Sequence, residues 1–214
     1  MTAKELLRAL KMVRVPVSED RLWFKSLLLD PGHGGRDSGA VGPTGLKEAD
    51  VALSVCLWTE LLVRESAPKV KLSLTHRGSG MTPSARRQAI RDAGADVMVS
   101  VHCNCADSRR AKGGEIYTTV GETVSDPVAA NIAKRVQKQF PDLKWRAGPG
   151  GEPDREAGFY VLRTQESLAR AGVLLETMFI SNPAEEKLLS QPIVQFRFAC
   201  AVASGLLCEQ PATS

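Results

Sequence analysis

The sequence has no long apolar run, and this excludes a membrane-spanning helix. Such a helix needs about 20 consecutive apolar residues, and the 214-residue chain contains no stretch of that kind. The hydrophobic fraction of 43% and the charged fraction of 24% are ordinary for a globular domain and do not fit a disordered chain. We therefore predict one globular domain without stable membrane insertion.

The N-terminal segment lacks the pattern of a secretory signal. Its basic residues are spread through MTAKELLRALKMVRVPVSEDRLW instead of preceding an apolar core and a small-residue cleavage site. Residues Lys4 to Val13 carry leucines near helical spacing. We expect residues 1–25 to form a helical extension packed on a catalytic domain at residues 26–214, and we expect the protein to be cytoplasmic at synthesis.

Aromatic residues are scarce, at 5%, and the formal net charge is only +4. Arginines cluster in short pairs, Arg86 with Arg87 and Arg109 with Arg110, which we interpret as parts of a solvated surface. Because the chain has neither a zinc-finger spacing nor aromatics interleaved with basic residues, we predict no nucleic-acid partner.

The cysteine count is odd, which disfavours a complete set of disulfides. Two of the five cysteines, Cys56 and Cys200, fall within apolar helical patterns. These observations predict free thiols and a reducing compartment.

Short apolar runs alternate with segments of helical period, a pattern that predicts an α/β sheet with crossover helices. The predicted strands are Ser26–Asp30, Val70–Thr75, Val97–His102, Glu115–Thr119 and Val173–Thr177. The predicted helices are Lys47–Glu65, Pro83–Ala93, Pro127–Phe140 and Pro192–Leu207, with Thr82 and Asp126 as N-caps of the second and third. Ala147–Ala157 is rich in Gly, Pro and charge and is predicted to be a surface loop.

Four side chains with metal or acid–base chemistry stand near the ends of predicted strands. His33 follows the first strand within DPGHGGRDSG, and His102 ends the third strand. Ligand sites of open α/β sheets form beyond the carboxyl ends of strands, where both histidines would lie. Glu48 falls in the first turn of a helix, and Glu176 falls in the last apolar strand, where an unpaired carboxylate is costly to bury.

Two histidines and one glutamate would give zinc three protein ligands and leave a fourth position open, as a catalytic zinc site requires. A second carboxylate, Glu176, would accept a proton from water and pass it to a leaving nitrogen. Taken singly, His33 is equally well read as a loop residue and Glu48 as a charge that complements the helix dipole. The phosphate-binding alternative for the glycine-rich loop lacks both G-x-G-x-x-G and G-K-[ST].

Several ordered motifs resemble the type-3 family of zinc-dependent N-acetylmuramoyl-L-alanine amidases. They are LLLDPGHGGRDSGAVGPTGLKEADV, VMVSVHCN, KGGEIY, FYVLR and LLETMFISNP, spread from about Ser26 to Leu207. The resemblance implies one Zn²⁺ per chain on His33, Glu48 and His102, with Glu176 as the catalytic carboxylate. It also implies an open mixed sheet of about six strands with helices on both faces, in a single domain.

The resemblance implies peptidoglycan as the substrate, and we consider Asn104 and Arg163 as substrate contacts. His76 is an extra imidazole in THRGSG, and we consider it either a substrate or metal contact or a surface residue. Division amidases of this family carry a helical insertion that covers the zinc, and the span between His102 and Asp126 is too short for one. We therefore expect an open site, no activator protein and a monomer.

The resulting hypothesis is a phage endolysin-like catalytic domain that acts on the wall after the membrane is breached. The alternatives are a regulated cellular wall amidase, a zinc peptidase that acts on the stem peptide, and a wall-binding module with a degenerate site.

Overall fold

The computed structural model describes residues 22–168 and 170–208. The helix predicted within Lys4–Val13 lies outside these residues. Six strands are present: β1 Ser26–Pro31, β2 Lys71–Leu74, β3 Val97–Asn104, β4 Glu115–Thr118, β5 Arg155–Glu156 and β6 Ala171–Phe179. Phe24 is buried in the main core, so the packed domain includes residues that precede Ser26.

The six strands form one mixed sheet in the order β2-β1-β3-β6-β4-β5. The pairs β1–β2, β1–β3, β3–β6 and β4–β5 are parallel, and β4–β6 is antiparallel. The predicted α/β fold with an open mixed sheet in a single domain is confirmed. Because β1, β3 and β6 are central and parallel, their carboxyl ends meet at one edge of the sheet.

Within the described part of the chain, six α-helices accompany the sheet: α1 Glu48–Ser66, α2 Pro83–Ala93, α3 Asp126–Gln139, α4 Tyr160–Glu166, α5 Pro183–Leu189 and α6 Pro192–Leu206. Thr82 caps α2 as predicted, since its side chain accepts a hydrogen bond from the Ala85 amide. None of the helices in the described residues combines the length and the apolar character that a membrane crossing requires.

Hydrophobic clusters cover both faces of the sheet, as predicted. The larger cluster joins alternate residues of the central strands to the buried faces of α1, α3 and α6. The smaller cluster joins the intervening residues Leu28, Met98 and Leu174 to Ile90 of α2 and Leu162 of α4. This division follows the period of two along a strand, by which successive side chains point to opposite faces.

The structure corrects several local predictions. Ala147–Ala157 is not a plain loop, because it contains a short 3₁₀ turn at Pro149–Gly151 and the two-residue strand β5. Asp126 is the first residue of α3 and not its N-cap, which is Ser125. The Asp126 carboxylate instead accepts hydrogen bonds from the amide and hydroxyl of Thr123. The short helices α4 and α5 were not predicted, because seven residues cover less than two full turns and give too few repeats of the apolar pattern.

Candidate active site

On one face of the sheet, the side chains are apolar near the middle of the strands and ionisable at the carboxyl ends. On β3, Met98 is buried in the smaller core, Ser100 is buried and hydrogen-bonded, and His102 reaches the edge. On β6, Leu174 is followed two residues later by Glu176. His102 and Glu176 are register partners on neighbouring strands, so the sheet itself brings these two predicted site residues together.

His33 lies in the turn after β1 with a left-handed φ of 60°. A non-glycine residue in this region of φ/ψ space costs roughly 1–3 kcal/mol and persists only where surrounding contacts impose it. Gly32 allows the ring of His102 to approach, since a Cβ at position 32 would lie 2.4 Å from His102 Cε1. Gly39 serves the same purpose for His33 and Glu48, because its Cβ would lie 2.6 Å from each of them. The glycines of the motif therefore make room for the site's side chains.

The three predicted metal ligands converge. Glu48 Oε1 lies 3.2 Å from His33 Nε2 and 2.9 Å from His102 Nδ1. One donor atom from each of these three residues falls within 4.8 Å of the others. Two imidazole nitrogens and a carboxylate oxygen are the donor set that zinc prefers.

Glu48 is buried at the start of α1 and is held in the ionised state. Ala40 donates its amide to Glu48 Oε2 at 2.9 Å, and Cys103 donates its amide to Glu48 Oε1 at 3.1 Å. Burial alone would raise the pKa of Glu48, but the hydrogen bonds from His102 and His33 outweigh burial and hold the pKa well below its usual value.

Asp37 orients His33 from the opposite side. Its Oδ2 accepts a hydrogen bond from His33 Nδ1 at 2.9 Å, and its Oδ1 accepts one from the Gly39 amide at 3.0 Å. In this metal-free geometry the hydrogen bond to Glu48, and then the one to Asp37, raise the pKa of His33 to about 9 against the opposing effect of burial. A carboxylate behind a ligating imidazole fixes the ring and its tautomer, which is the position that Asp37 occupies.

Glu176 differs from Glu48 because one of its carboxylate oxygens has no hydrogen-bond partner among the described residues. Its Oε2 atom is buried and makes no hydrogen bond among the described residues. Burial raises the pKa of Glu176 to about 7, the charge of His102 opposes this rise, and the charges of Glu48 and Glu115 add to it. A carboxyl group that titrates near neutrality is suited to accept and return a proton.

A cavity of about 330 Å³ opens between these residues and α4. Its polar side is formed by His33, Asp37, Arg86, His102 and Glu176. The facing wall is largely apolar, and Met81, Pro83, Phe159, Tyr160, Val161 and Leu174 contribute to it. The arrangement is a small cleft with few convergent polar groups, the usual form of a small-molecule or active site.

The three residues considered as substrate contacts lie elsewhere. Asn104 donates to Glu115 Oε1 at 2.5 Å and accepts from the Cys105 amide, while Arg163 is exposed on α4. Neither these two residues nor the third, His76, lines the cavity.

His76 is only 6% exposed, so it is not a surface residue, and the metal-ligand cluster does not include it. The pKa of His76 is lowered by burial and by the charge of Arg86, which keeps its ring neutral. Its Nε2 donates to the Pro31 carbonyl, and its Nδ1 accepts from the Gly78 amide.

Sequence reasoning missed the buried ion pair beneath the loop of His33. Arg86 is 8% exposed and lies 2.5 Å from Asp30, so the expectation of a solvated Arg86 was wrong. The helical spacing could have predicted the burial of Arg86, because Arg86 and the core residue Ile90 are four positions apart and share one face of α2.

Comparison with known proteins gives consistent matches. The family profile Amidase_3, described as N-acetylmuramoyl-L-alanine amidase, matches residues 27–208. The chain is 29% identical to the N-acetylmuramoyl-L-alanine amidase LytC of Bacillus subtilis, over 85% of this chain and 34% of LytC. It is 31% identical to the amidase AmiC of Neisseria meningitidis, over 84% of this chain and 51% of AmiC. The chain thus spans about half or less of the length of these two relatives.

A solved structure with the same fold is the catalytic domain of CwlV, an N-acetylmuramoyl-L-alanine amidase from Bacillus (Paenibacillus) polymyxa var. colistinus. Its TM-score is 0.75 at 29% identity, and the match covers 85% of this chain and 95% of that domain.

Proposed function

Because the chain belongs to the Amidase_3 family of N-acetylmuramoyl-L-alanine amidases, we propose that it hydrolyses the amide bond between N-acetylmuramic acid and L-alanine in bacterial peptidoglycan, with one zinc ion per chain. The observation that carries the proposal is the convergence of His33, Glu48 and His102 beside Glu176. Neither a wall-binding module nor a structural domain requires three potential metal ligands beside a carboxyl group whose buried oxygen has no hydrogen-bond partner among the described residues.

The donor set fits zinc. His33 and His102 both direct a ring nitrogen at the same carboxylate oxygen of Glu48, and Asp37 fixes the far side of the His33 ring. Three protein ligands would leave a further ligand position for water or substrate, as in catalytic zinc sites. When bound there, zinc would supply a Lewis acid that polarises the amide carbonyl and acidifies water.

Glu176 would handle the protons of the reaction. Its carboxyl group, which lines the cavity together with His33 and His102, would accept the proton of the attacking water and return it to the amide nitrogen as that nitrogen leaves. The apolar wall that includes Phe159 and Leu174 reduces the contact of one side of the cleft with water, which would strengthen electrostatic interactions on that side.

Metal-free protein, zinc-reloaded protein and the variants His33→Ala and His102→Ala test the proposal on purified muropeptides. We expect amide cleavage only with zinc, and we expect less than one zinc ion per chain in both variants. Full zinc occupancy in either variant would remove that histidine from the ligand set.

Identification of the new chain end separates the amidase from a zinc peptidase. An amidase releases peptides that begin with L-alanine and leaves a free lactyl carboxylate on the sugar. A stem peptidase leaves L-alanine attached to the sugar, and mass spectrometry of the products would show this directly.

We further propose an endolysin-like role, in which the enzyme is made in the cytoplasm and reaches the wall after the membrane is breached. The open site supports this role: between His102 and Asp126 the chain forms only the end of β3, β4 and connecting turns. The side chains of His33 and His102 remain 28% and 20% exposed. A site that the described residues leave uncovered would need no activator, and we expect a monomeric enzyme.

Isolated sacculi test the endolysin-like role. We expect the purified protein alone to release soluble wall fragments. If sacculi stay intact until a second bacterial protein is added, the regulated cellular amidase is the better assignment. That alternative is favoured by relatives such as LytC and AmiC, which are proteins of bacteria.

A further inference from the structure

Arg86 extends from α2 to the base of the loop that carries His33. Its Nη1 atom lies 2.5 Å from Asp30 Oδ1 and donates to the Pro31 carbonyl at 2.6 Å. Its Nη2 atom donates to the carbonyl of His33 itself at 2.7 Å. The guanidinium therefore contacts three residues of this segment: Asp30 and Pro31 before Gly32, and His33 after it.

The partner of this arginine is fixed within the sheet. Asp30 is fully buried, and its carboxylate also accepts hydrogen bonds from the hydroxyls of Thr75 at 2.7 Å and Ser100 at 2.8 Å. Thr75 follows β2 and Ser100 lies on β3, so hydroxyls from both sides of β1 hold the carboxylate. An ion pair anchored in this way has a defined position relative to the sheet edge.

His33 needs such an anchor because its backbone is in the left-handed region, which non-glycine residues rarely adopt. The φ and ψ angles of His33 orient its carbonyl and also the Cα–Cβ bond from which its imidazole extends. A contact that fixes the carbonyl therefore also helps to fix the imidazole. We propose that Arg86 is a positioning residue that holds His33 in its metal-binding conformation through the His33 and Pro31 carbonyls. The inference rests on the proposed zinc site.

The planar guanidinium is needed for this task. Its fork presents several donors in fixed directions and reaches one carboxylate and two carbonyls at once. A lysine ammonium at the same position would keep the charge opposite Asp30 but could not span both carbonyls. The neutral ring of His76 also donates to Pro31 O and interacts with the His33 backbone, so it supports the same loop without reaching the Asp30 carboxylate that anchors Arg86.

The test measures zinc affinity directly, by competition with a chromogenic chelator. We expect Arg86→Lys to raise the zinc dissociation constant about 10–100-fold, the range typical for loss of a group that orients a metal ligand. Arg91→Lys is the matched control, because Arg91 is an exposed residue of the same helix. Its zinc dissociation constant should equal that of the wild type.

Thermal unfolding separates positioning from general stability. If Arg86 only stabilises the fold, Arg86→Lys lowers the unfolding midpoint of metal-free protein, but the additional stabilisation by zinc stays as in the wild type. An unchanged zinc dissociation constant in folded Arg86→Lys would overturn the proposal.

Should Arg86→Lys fail to fold, Ser100→Ala removes one hydrogen bond from Asp30 without leaving a buried charge unpaired. A smaller rise in the zinc dissociation constant is then expected, and no rise overturns the inference. Failure of the wild type to bind zinc would instead count against the proposed function, so the two failures are distinguishable.

Discussion

The two glutamates nearest the histidines differ in protonation because they differ in hydrogen-bond partners. Glu48 receives two backbone amides and two imidazoles and stays ionised. Glu176 has a buried oxygen without a partner, and its pKa rises to about 7. When two carboxyl groups in one site have environments that push their pKa values apart, they can divide the roles of ligand and proton carrier.

Replacement of Glu176 by glutamine should separate proton transfer from metal binding. The amide keeps the size of the side chain but cannot accept a proton, so we expect amide hydrolysis to fall ~10²–10⁴-fold. Zinc content and the unfolding midpoint should stay close to the wild type. Muropeptide turnover measured at equal zinc occupancy checks this, and near-normal turnover would leave Glu176 with a structural role only.

Zinc binding to the metal-free protein should depend on pH through His33. The pKa of this imidazole is raised to about 9, chiefly by its hydrogen bond to Glu48, and zinc needs the deprotonated nitrogen. Zinc must therefore displace a proton below pH 9, so zinc affinity should rise with pH across the neutral range and level off above about pH 9. Titrations in buffers of different ionisation enthalpy would count the released protons. An affinity independent of pH between 6.5 and 9 would contradict the raised pKa.

Gly39 should be irreplaceable for a reason other than backbone conformation. Both Gly39 and Gly45 have positive φ, at 63° and 97°, so alanine at either position is strained by roughly 1–2 kcal/mol. A Cβ at Gly39 also collides with Glu48 and His33, whereas one at Gly45 meets no atom within 4 Å. We expect Gly39→Ala to weaken zinc binding well beyond Gly45→Ala. Equal zinc affinities of the two variants would show that the contact is relieved by movement of the side chains.

At the scale of elements, the sequence predicted five of the six strands and the four longer helices of the described residues, but not the two-residue strand β5 or the seven-residue helices α4 and α5. The apolar runs of β1, β3 and β6 and the periodic faces of α1 and α3 were recognisable because each repeats its pattern several times. Strand β5 has two residues and α4 has seven, so neither repeats its period often enough to be recognised. The apolar wall that α4 gives to the cavity therefore could not be predicted from the sequence.

Helices α3 and α6 pack closely through a glycine. A Cβ at Gly205 of α6 would lie 2.8 Å from Ile132 Cα and 3.0 Å from Ile132 N on α3. Alanine is favoured over glycine within a helix by about 1 kcal/mol, but overpacking against backbone costs about 1–3 kcal/mol. We expect Gly205→Ala to lower the free energy of unfolding by up to about 2 kcal/mol.

Ser204→Ala on the same helix is the control for Gly205→Ala, because Ser204 is partly exposed. Chemical denaturation of both variants measures the difference. A Gly205→Ala protein more stable than the wild type would mean that α3 and α6 separate without cost.

At the scale of the whole molecule, the site depends on strand order. His33, Glu48, His102 and Glu176 are far apart in sequence, and they meet because β1, β3 and β6 are neighbours in the sheet. The sequence shows which residues end strands, and the resemblance to the amidase family implied their roles as metal ligands and proton carrier. Neither the spacing nor the composition specifies the sheet order or the partners of a buried side chain, which explains why the environments of Arg86 and His76 were not foreseen.

The thiol chemistry of the folded protein should distinguish one cysteine from the other four. All five cysteines are free, and Cys105 alone is exposed. Burial raises the pKa of the Cys56 and Cys103 thiols well above the usual value and that of Cys200 to about 12, and it also raises the pKa of Cys208. Since the thiolate is the reactive form, a disulfide reagent at neutral pH should modify Cys105 first.

Titration of unreduced protein checks the whole set. We expect one fast thiol in the native protein, five thiols after denaturation, and loss of the fast phase in Cys105→Ser. Cys208→Ser, which removes a partly buried thiol, should leave the fast phase unchanged. One thiol or none after denaturation would mean that the cysteines pair in the isolated protein, and it would also count against synthesis in a reducing compartment.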